Sequence, residues 1–172
     1  VALTDTDPCF ASRPPVVEPV PRSKRRPYRV RTGWRIPPAF SVLVYNAKGE
    51  MLLQQRAVIK YHSGGLWSNA CCGHPRPGEN IEEAANRRLR EEMGFNCNLK
   101  FSFKFIYRTS FINRLIEHEL DYVFTGVYDD EVIPEINEVQ AMRWITMDNL
   151  KKEITENPND FSVWFQKIIA AL

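Results

Sequence analysis

Two adjacent cysteines and a nearby histidine are the first residues in this sequence whose types could do chemistry. Cys71, Cys72 and His74 lie in the stretch WSNACCGHPRPGEN, which ends in a turn broken by proline and glycine. A metal clip, a disulfide and a nucleophile beside a metal are the three possibilities. A zinc clip would need a second cysteine pair, which this chain lacks, and a bridge between neighbouring cysteines is strained. We therefore expect free thiols, also at Cys9 and Cys97.

Two glutamates in the stretch IEHELDY form a second group of candidates. On a strand, Glu117 and Glu119 would point to one face of the sheet. The opposite face would carry Ile116, His118 and Leu120, so we expect His118 to be structural or exposed. Paired carboxylates with apolar neighbours suit a hard cation, or an acid with a raised pKa. An exposed acidic face is the alternative.

The segment IEEAANRRLREEMG has the pattern of a helix. Asn80 can cap its start, with Glu83 at the capping-box position, and Gly94 can end it. Arg88 and Glu92 fall in the middle of its apolar face, where charges are unfavourable unless they pair or face a ligand. A salt bridge between them is one explanation, but an exposed one is worth only about 0.2–0.5 kcal/mol. We favour a polar site beneath this helix.

These segments together supply donors that suit a divalent metal ion. The nitrogen and oxygen donors are His74, Glu92, Glu117 and Glu119. This set favours a metal site beside the cysteines over a zinc clip made from them.

Length and composition indicate one globular domain. The chain has 172 residues, 44% hydrophobic and 26% charged, with a formal net charge of +2. That charge gives no strong case for nucleic acid, and no apolar run is long enough to cross a bilayer. The first residues lack the pattern of a secretory signal, so we expect a cytoplasmic protein. The oligomeric state is open.

The chain divides into an arm and a domain. Residues 1–38 hold eight of the twelve prolines and the basic run PRSKRRPYRVR, which predicts an extended or loosely ordered arm. Residues 39–172 mix strands and helices without regular alternation, which predicts an α+β domain. Two helices are expected from about Met147 and Phe161. Trp164 belongs to an apolar stripe at helical spacing in the last one, which is typical of a core.

The run from Gly73 to Phe95 resembles the Nudix signature. The matching residues are Gly73, Glu79, Arg87, Leu89, Glu91, Glu92, Gly94 and Phe95. Hydrolases of that superfamily carry a glutamate after the signature arginine, where this chain has Arg88. The change weakens the magnesium cluster used for hydrolysis and adds a positive charge suited to phosphate.

With this departure, the stretches SNACCGHP, AFSVLVYNAKGEMLLQQRA, EHELDYVF and FSVWFQKII closely resemble the type 1 isopentenyl diphosphate isomerases. The resemblance runs from about Ala39 to the C-terminus. It implies a single Nudix-like domain of mixed β-sheets flanked by helices. It also implies interconversion of isopentenyl and dimethylallyl diphosphate by protonation and deprotonation through a tertiary carbocation.

The resemblance implies roles for individual residues. Cys72 and Glu119 would flank the allylic unit as an acid–base pair, Tyr107 would assist proton delivery near Glu119, and Trp164 would face the cation. Beside a metal and a helix N-terminus, Cys72 is expected to be a thiolate with a low pKa. The resemblance also implies ligands for the substrate and for two metals. The phosphate-binding residues would be Arg56, Lys60 and Arg88, the ligands of a diphosphate-bridging Mg²⁺ would be Glu92 and the Cys72 carbonyl, and those of a second ion (Mg²⁺, Mn²⁺ or Zn²⁺) would be His74, Glu117 and Glu119.

The match fails at two positions. Family members carry two more histidine ligands upstream, which fall near Val30 and Pro37, whereas this chain has only His62, His74 and His118. We hypothesise that residues of roughly 8–38 were altered, for instance by a shifted reading frame, or that the chain is a divergent member. Two alternatives stay open: a member that binds diphosphates without turnover, and a Nudix diphosphate hydrolase.

Overall fold

The computed structural model describes residues 36–60, 62–110 and 116–172. The predicted N-terminal arm lies almost entirely outside these ranges, and so does Cys9. The strands are β1 Pro38–Tyr45, β2 Met51–Arg56, β3 Trp67–Asn69, β4 Cys71–Gly73, β5 Lys100–Ser110, β6 Ile116–Val127 and β7 Val139–Ile145. The α-helices are α1 Ile81–Met93, α2 Met147–Glu156 and α3 Val163–Ala170, with a short 3-10 helix at Pro158–Asp160.

The strands form one mixed sheet around β1. Its order is β3-β2-β1-β6-β5, with β4 also pairing with β1 and β7 with β2. Strands β1 and β6 run parallel, from Pro38 opposite Leu120 to Tyr45 opposite Val127. The other described pairs are antiparallel. Helices cover both faces of this sheet, so the predicted α+β architecture of one mixed-sheet domain is confirmed.

Alternation along β1 gives each face of the sheet its own core. Phe40 and Val42 pack on one face with residues of α1, including Leu89. Leu43 points to the other face, where Phe165 of α3 belongs to the same cluster. Burial of one such side chain stabilises the fold by about 1.5–3 kcal/mol. Helices α1 and α3 are therefore held on opposite faces, and each brings polar residues to the sheet.

Local turn and cap residues fix where the elements begin and end, and those of α1 are the ones predicted, Asn80 and Gly94. Asn46 starts the β1–β2 turn, and Gly49 in that turn has a φ of 78°. The Asn80 side chain caps α1 by accepting from two backbone N–H groups of its first turn. Gly94 ends α1 with a φ of 80°, and a Cβ there would collide with the carbonyl oxygen of Ile133.

The segment between β2 and α1 contains two strands of three residues each, β3 and β4. Such short strands carry too little alternation to be detected in a sequence. Their position is set by pairing with β2 and β1, so Cys72 lies on the sheet. Among the helices in the described ranges, none has the length and apolar character needed to cross a membrane.

Candidate active site

One face of the sheet collects most of the candidate residues. On β1, Ser41 is paired with Cys72 of β4 on one side and with Val123 of β6 on the other. Paired residues share a face, and so do residues two apart along a strand. Glu119 of β6 and its partner Tyr107 of β5 therefore lie on the same face as Cys72. Helix α3 covers this face.

The two glutamates of β6 are buried around a tyrosine hydroxyl. Glu117 and Glu119 are each 8% exposed, so they do not form an exposed acidic face. The Tyr107 hydroxyl lies 3.1 Å from Glu117 Oε2 and 3.0 Å from Glu119 Oε2, and it can donate its proton to either. Burial and the two carboxylates raise the pKa of Tyr107 far above its ordinary value. Tyr107 therefore stays a proton donor.

Two histidines contact the same glutamates. His74 Nε2 lies 2.7 Å from Glu119 Oε1, and His62 Nε2 lies 3.0 Å from Glu117 Oε1. Burial opposes the charged form of His74, but the hydrogen bond and charge of Glu119 outweigh it and raise its pKa. His118 is exposed, as expected. His62 was not predicted as a site residue, because it lies in a loop, where no periodicity relates it to the strands of the site. Below, "carboxylate cluster" means Tyr107, Glu117, Glu119, His62 and His74.

Asp121 is a third buried carboxylate on the same face of β6, and it was not predicted from the sequence. It lies two residues after Glu119, is 2% exposed, and accepts a hydrogen bond from Ser41 Oγ at 2.8 Å. Burial raises the pKa of Asp121 to about 7, against the opposing effect of the Ser41 hydrogen bond. The two-residue period of β6 could have identified this third carboxylate.

The expectation that Cys72 is a thiolate with a low pKa is wrong for this structure. Cys72 lies within the sheet on β4, whereas α1 begins only at Ile81. Burial raises the pKa of Cys72 to about 12, although the guanidinium of Arg56, with NH1 3.7 Å from Sγ, favours the thiolate. Burial therefore favours the neutral thiol over the thiolate at Cys72, and the neighbouring guanidinium favours the thiolate. Cys71, Cys72 and Cys97 are free thiols.

Trp164 belongs both to the core and to the lining of the site. Its ring is 3% exposed, and its Nε1 donates to Asn69 Oδ1 at 3.2 Å. The Arg56 Cζ atom lies 5.2 Å from the Trp164 ring centroid, and the His62 ring packs edge-on at 5.7 Å. A cation therefore already lies over this ring. The Trp67 ring is covered by a different cation, because the Arg143 Cζ atom lies 4.4 Å from its centroid.

The three predicted phosphate-binding cations form one electrostatic group. Arg56 is 5% exposed, and its Nε atom is buried without a hydrogen-bond partner among the described residues. Burial lowers the pKa of Lys60, with Arg56 and Arg88 adding to this shift and Glu92 opposing it. Below, "cation cluster" means Arg56, Lys60 and Arg88 with the carboxylates that contact them, Glu92 and Glu138.

Arg88 and Glu92 form the salt bridge that sequence analysis gave as the alternative, and they also border polar groups under α1. Arg88 NH2 contacts Glu92 Oε1, and the Glu92 side chain is 1% exposed. Gln54 Nε2 donates to Glu92 Oε2 at 2.9 Å from beneath the helix. Both explanations therefore hold: Arg88 and Glu92 form a salt bridge, and a polar group lies beneath the helix. Because Glu92 is buried, the Gln54 hydrogen bond stabilises this pair in addition to the i,i+4 contact.

The donor atoms of the predicted metal ligands are engaged with one another. In residues 36–60, 62–110 and 116–172, no three His, Cys, Asp or Glu side chains are arranged so that they could hold a metal ion. His74 bonds Glu119, and Glu92 bonds Arg88. The donor types still fit a divalent ion. Gln54 Oε1 is a further buried oxygen beside Glu92, with no partner among the residues described. A metal would have to replace protons and cations that these carboxylates now contact.

Two signature residues have a structural role on the exposed side of α1. Arg87 donates from Nε to Glu79 Oε1 at 2.6 Å and from NH2 to Glu79 Oε2 at 2.9 Å. The same carboxylate accepts from the backbone N–H of Arg76 at 2.7 Å. The Arg87 hydrogen bonds, followed by the Arg76 bond, lower the pKa of Glu79 to about 2. This clamp holds the loop after β4 against the helix.

Comparisons with known proteins identify the family to which the chain belongs. The NUDIX domain family matches residues 35–165. The chain is 52% identical over 134 residues to isopentenyl-diphosphate Delta-isomerase 2 of Photorhabdus laumondii, covering 78% of this chain and 76% of the relative. It is 50% identical over 131 residues to the isopentenyl-diphosphate Delta-isomerase of Burkholderia multivorans, covering 76% and 74%.

Solved structures share the fold at low identity. The MutT protein from Methanosarcina mazei superposes with a TM-score of 0.64 at 18% identity, covering 78% of this chain and 93% of that one. The NUDIX domain of Shewanella oneidensis NrtR, solved with ADP ribose, gives 0.61 at 12% identity, covering 79% and 85%. These two likenesses concern the fold alone. From the family match and the relatives, the chain belongs to the isopentenyl-diphosphate Delta-isomerases, within the NUDIX domain family.

Proposed function

We propose that this chain isomerises isopentenyl diphosphate to dimethylallyl diphosphate. The observation that carries the proposal is the placement of two proton-carrying groups on one buried sheet face. Tyr107 lies between Glu117 and Glu119, and Cys72 lies on the same face two strands away. Nearby, Arg56 links Cys72 to the cation cluster.

The reaction needs an acid on one side of the substrate and a base on the other. Protonation of the terminal alkene carbon gives a tertiary carbocation, and loss of a proton from the neighbouring carbon forms the new double bond. We assign proton delivery to Glu119 with Tyr107, and proton removal to Cys72. In the reverse direction the Cys72 thiol is the donor. In the forward direction Cys72 must first lose its proton to solvent, which burial opposes and the Arg56 guanidinium beside Sγ favours.

The carbocation requires an environment that stabilises charge without offering water. The buried Trp164 ring already attracts the Arg56 guanidinium, and a desolvated cation–π contact is worth about 2 kcal/mol. We therefore place the allylic part of the substrate against Trp164. Arg56 would move from the ring toward phosphate, where its unpartnered Nε gains an acceptor.

Divalent metals are used generally in these families. We propose that Glu92 and the Cys72 carbonyl would hold a Mg²⁺ ion. His74, Glu117 and Glu119 would hold a second ion, either Mg²⁺, Mn²⁺ or Zn²⁺. The metals would neutralise phosphate charge and tune the acidity of Glu119. The residues themselves position the diphosphate, exclude water and carry the protons.

A second candidate function is diphosphate binding without turnover. It is favoured by the small number of histidines, three in the whole chain. It is also favoured by the contacts that engage His74 and Glu119 with each other. A hydrolase is disfavoured, because Arg88 stands where hydrolases carry a glutamate.

The test is turnover of labelled isopentenyl diphosphate by the purified chain with Mg²⁺ and Mn²⁺, beside a Cys72→Ala variant. We expect dimethylallyl diphosphate from the wild-type chain and none from the variant. Diphosphate binding without product would support the second candidate, and release of orthophosphate would support hydrolysis.

A further inference from the structure

Glu138 bridges two of the cations that the proposed function assigns to diphosphate. Its Oε2 atom contacts Lys60 Nζ and lies 3.3 Å from Arg88 NH2. The Lys60 and Arg88 side chains are each 16% exposed, and the Glu138 side chain is 27% exposed. A carboxylate therefore occupies the space between two largely buried cations.

The backbone holds Glu138 in this place from two sides. The Ala57 N–H donates to the Glu138 carbonyl at 3.0 Å, which ties Glu138 to the segment that carries Lys60. The Glu138 N–H donates to the Glu135 carbonyl at 2.9 Å, and the Glu135 N–H donates to the Glu92 carbonyl at 2.9 Å. Glu138 is thereby anchored both to the Lys60 segment and to the end of α1.

We propose that Glu138 occupies the place of a substrate phosphate between Lys60 and Arg88, so that a phosphate must displace it to bind. This inference rests on the proposed function, because it takes Lys60 and Arg88 as the phosphate-binding cations. An anion that binds there must displace Glu138, and a carboxylate left between the cations and the new anion would repel it. The exposed part of the Glu138 side chain gives it a path to solvent.

The displacement sets a threshold for anion binding. Displacing Glu138 costs every anion the same free energy, so Glu138 weakens the binding of each by the same factor. A diphosphate carries more negative charge and more acceptor oxygens, so it can engage Lys60, Arg88 and Arg56 together and overcome this cost. A single phosphate replaces Glu138 with little gain in contacts and therefore binds weakly.

Titration calorimetry without divalent cations tests this with inorganic diphosphate and inorganic phosphate. We expect Glu138→Gln to bind diphosphate and phosphate each about tenfold tighter than wild type, because both anions must displace Glu138. Glu138→Asp keeps the charge and should stay near wild type. Glu135→Gln is the matched control, because it removes one charge from the same loop while its carboxylate faces Asn137. It should change both affinities less than about twofold.

Thermal denaturation gives a second readout. Without ligand, Glu138→Gln should melt below wild type, because Lys60 and Arg88 each lose a carboxylate partner, although Arg88 keeps Glu91 and Glu92. Saturating diphosphate should raise the melting temperature of Glu138→Gln by more than that of wild type. Equal or weaker diphosphate binding by Glu138→Gln, with isomerisation intact, would overturn the inference and leave the proposed function standing. Undetectable binding of diphosphate by all four proteins would overturn both.

Discussion

The carboxylate cluster on β6 and the cation cluster beside α1 have opposite charge but the same organisation. In the first, Glu117 and Glu119 are buried against a tyrosine hydroxyl and two imidazoles. In the second, Arg88 and Lys60 are buried against carboxylates. Buried charge is stable only when it is paired, so each cluster contains the counter-groups it needs.

The two clusters differ in the ligand that would replace these internal partners. The carboxylate cluster can release protons and accept a metal ion, whereas the cation cluster can release Glu138 and accept a phosphate. Chemistry and binding should therefore be separable by mutation.

Glu119→Gln should abolish chemistry and spare binding. The amide cannot deliver a proton, and general acid–base groups contribute roughly 10²–10⁴-fold to rate. We expect turnover of isopentenyl diphosphate to fall about 1000-fold, and the affinity for inorganic diphosphate to change less than about threefold. Steady-state kinetics and calorimetry on one preparation measure both. A parallel loss of diphosphate affinity would show that the two clusters are not separable.

Arg88→Gln should have the opposite signature. Loss of one charge-assisted hydrogen bond to phosphate is worth about 1.5–3 kcal/mol, which raises KM about 10- to 100-fold. The variant should also be less stable, because the buried Glu92 loses its countercharge. Arg87→Gln is the matched control, because Arg87 is the arginine next to Arg88 and faces Glu79 and Glu91 instead. If Arg87→Gln raises KM as much, the assignment of Arg88 to phosphate is wrong.

His62→Gln should weaken metal binding through Glu117. His62 lies 3.0 Å from a glutamate that we assign as a ligand, and groups that orient metal ligands commonly contribute 10- to 100-fold to affinity. We expect Mn²⁺ to bind about tenfold more weakly, measured by calorimetry. His118→Gln serves as the control, because His118 is exposed on the other face of β6. An unchanged Mn²⁺ affinity in His62→Gln would remove His62 from the site.

The smallest effect is expected outside both clusters, at the Glu79–Arg87 clamp. The folded-state pKa of Glu79 is lowered to about 2 from an ordinary 4.5. Its stabilising contribution is therefore complete above pH 4.5 and is lost as the pH falls toward 2. Glu79→Gln should melt below wild type at pH 7, and the gap should close near pH 2. A gap that is the same at both pH values would contradict the lowered pKa.

The sequence predicted those parts of the site that lie on regular elements. Alternation on β6 placed Glu117 and Glu119 on one face, and helical spacing placed Arg88 and Glu92 under α1. Asp121 follows from the same alternation, because it lies two residues after Glu119 on β6. His62 and Glu138 lie in loops, where no periodicity relates a residue to a site far along the chain.

Two further features depend on tertiary structure alone. Strands β3 and β4 are three residues long, so their pairing with neighbours, and not their pattern, defines them. The pKa of Cys72 depends on burial within the sheet, which outweighs the guanidinium beside it. Residue type and spacing could identify Cys72 as a candidate, but they could not predict that burial raises its pKa.

The central claim is that protons move between this sheet face and the substrate. The most direct measurement is isomerisation of isopentenyl diphosphate in D₂O with Mg²⁺, followed by mass spectrometry and NMR of the product. The account predicts deuterium in a methyl group of dimethylallyl diphosphate for the wild-type chain, and no labelled product from Cys72→Ala or Glu119→Gln. Orthophosphate release, or labelled product that persists undiminished in both variants, would contradict it.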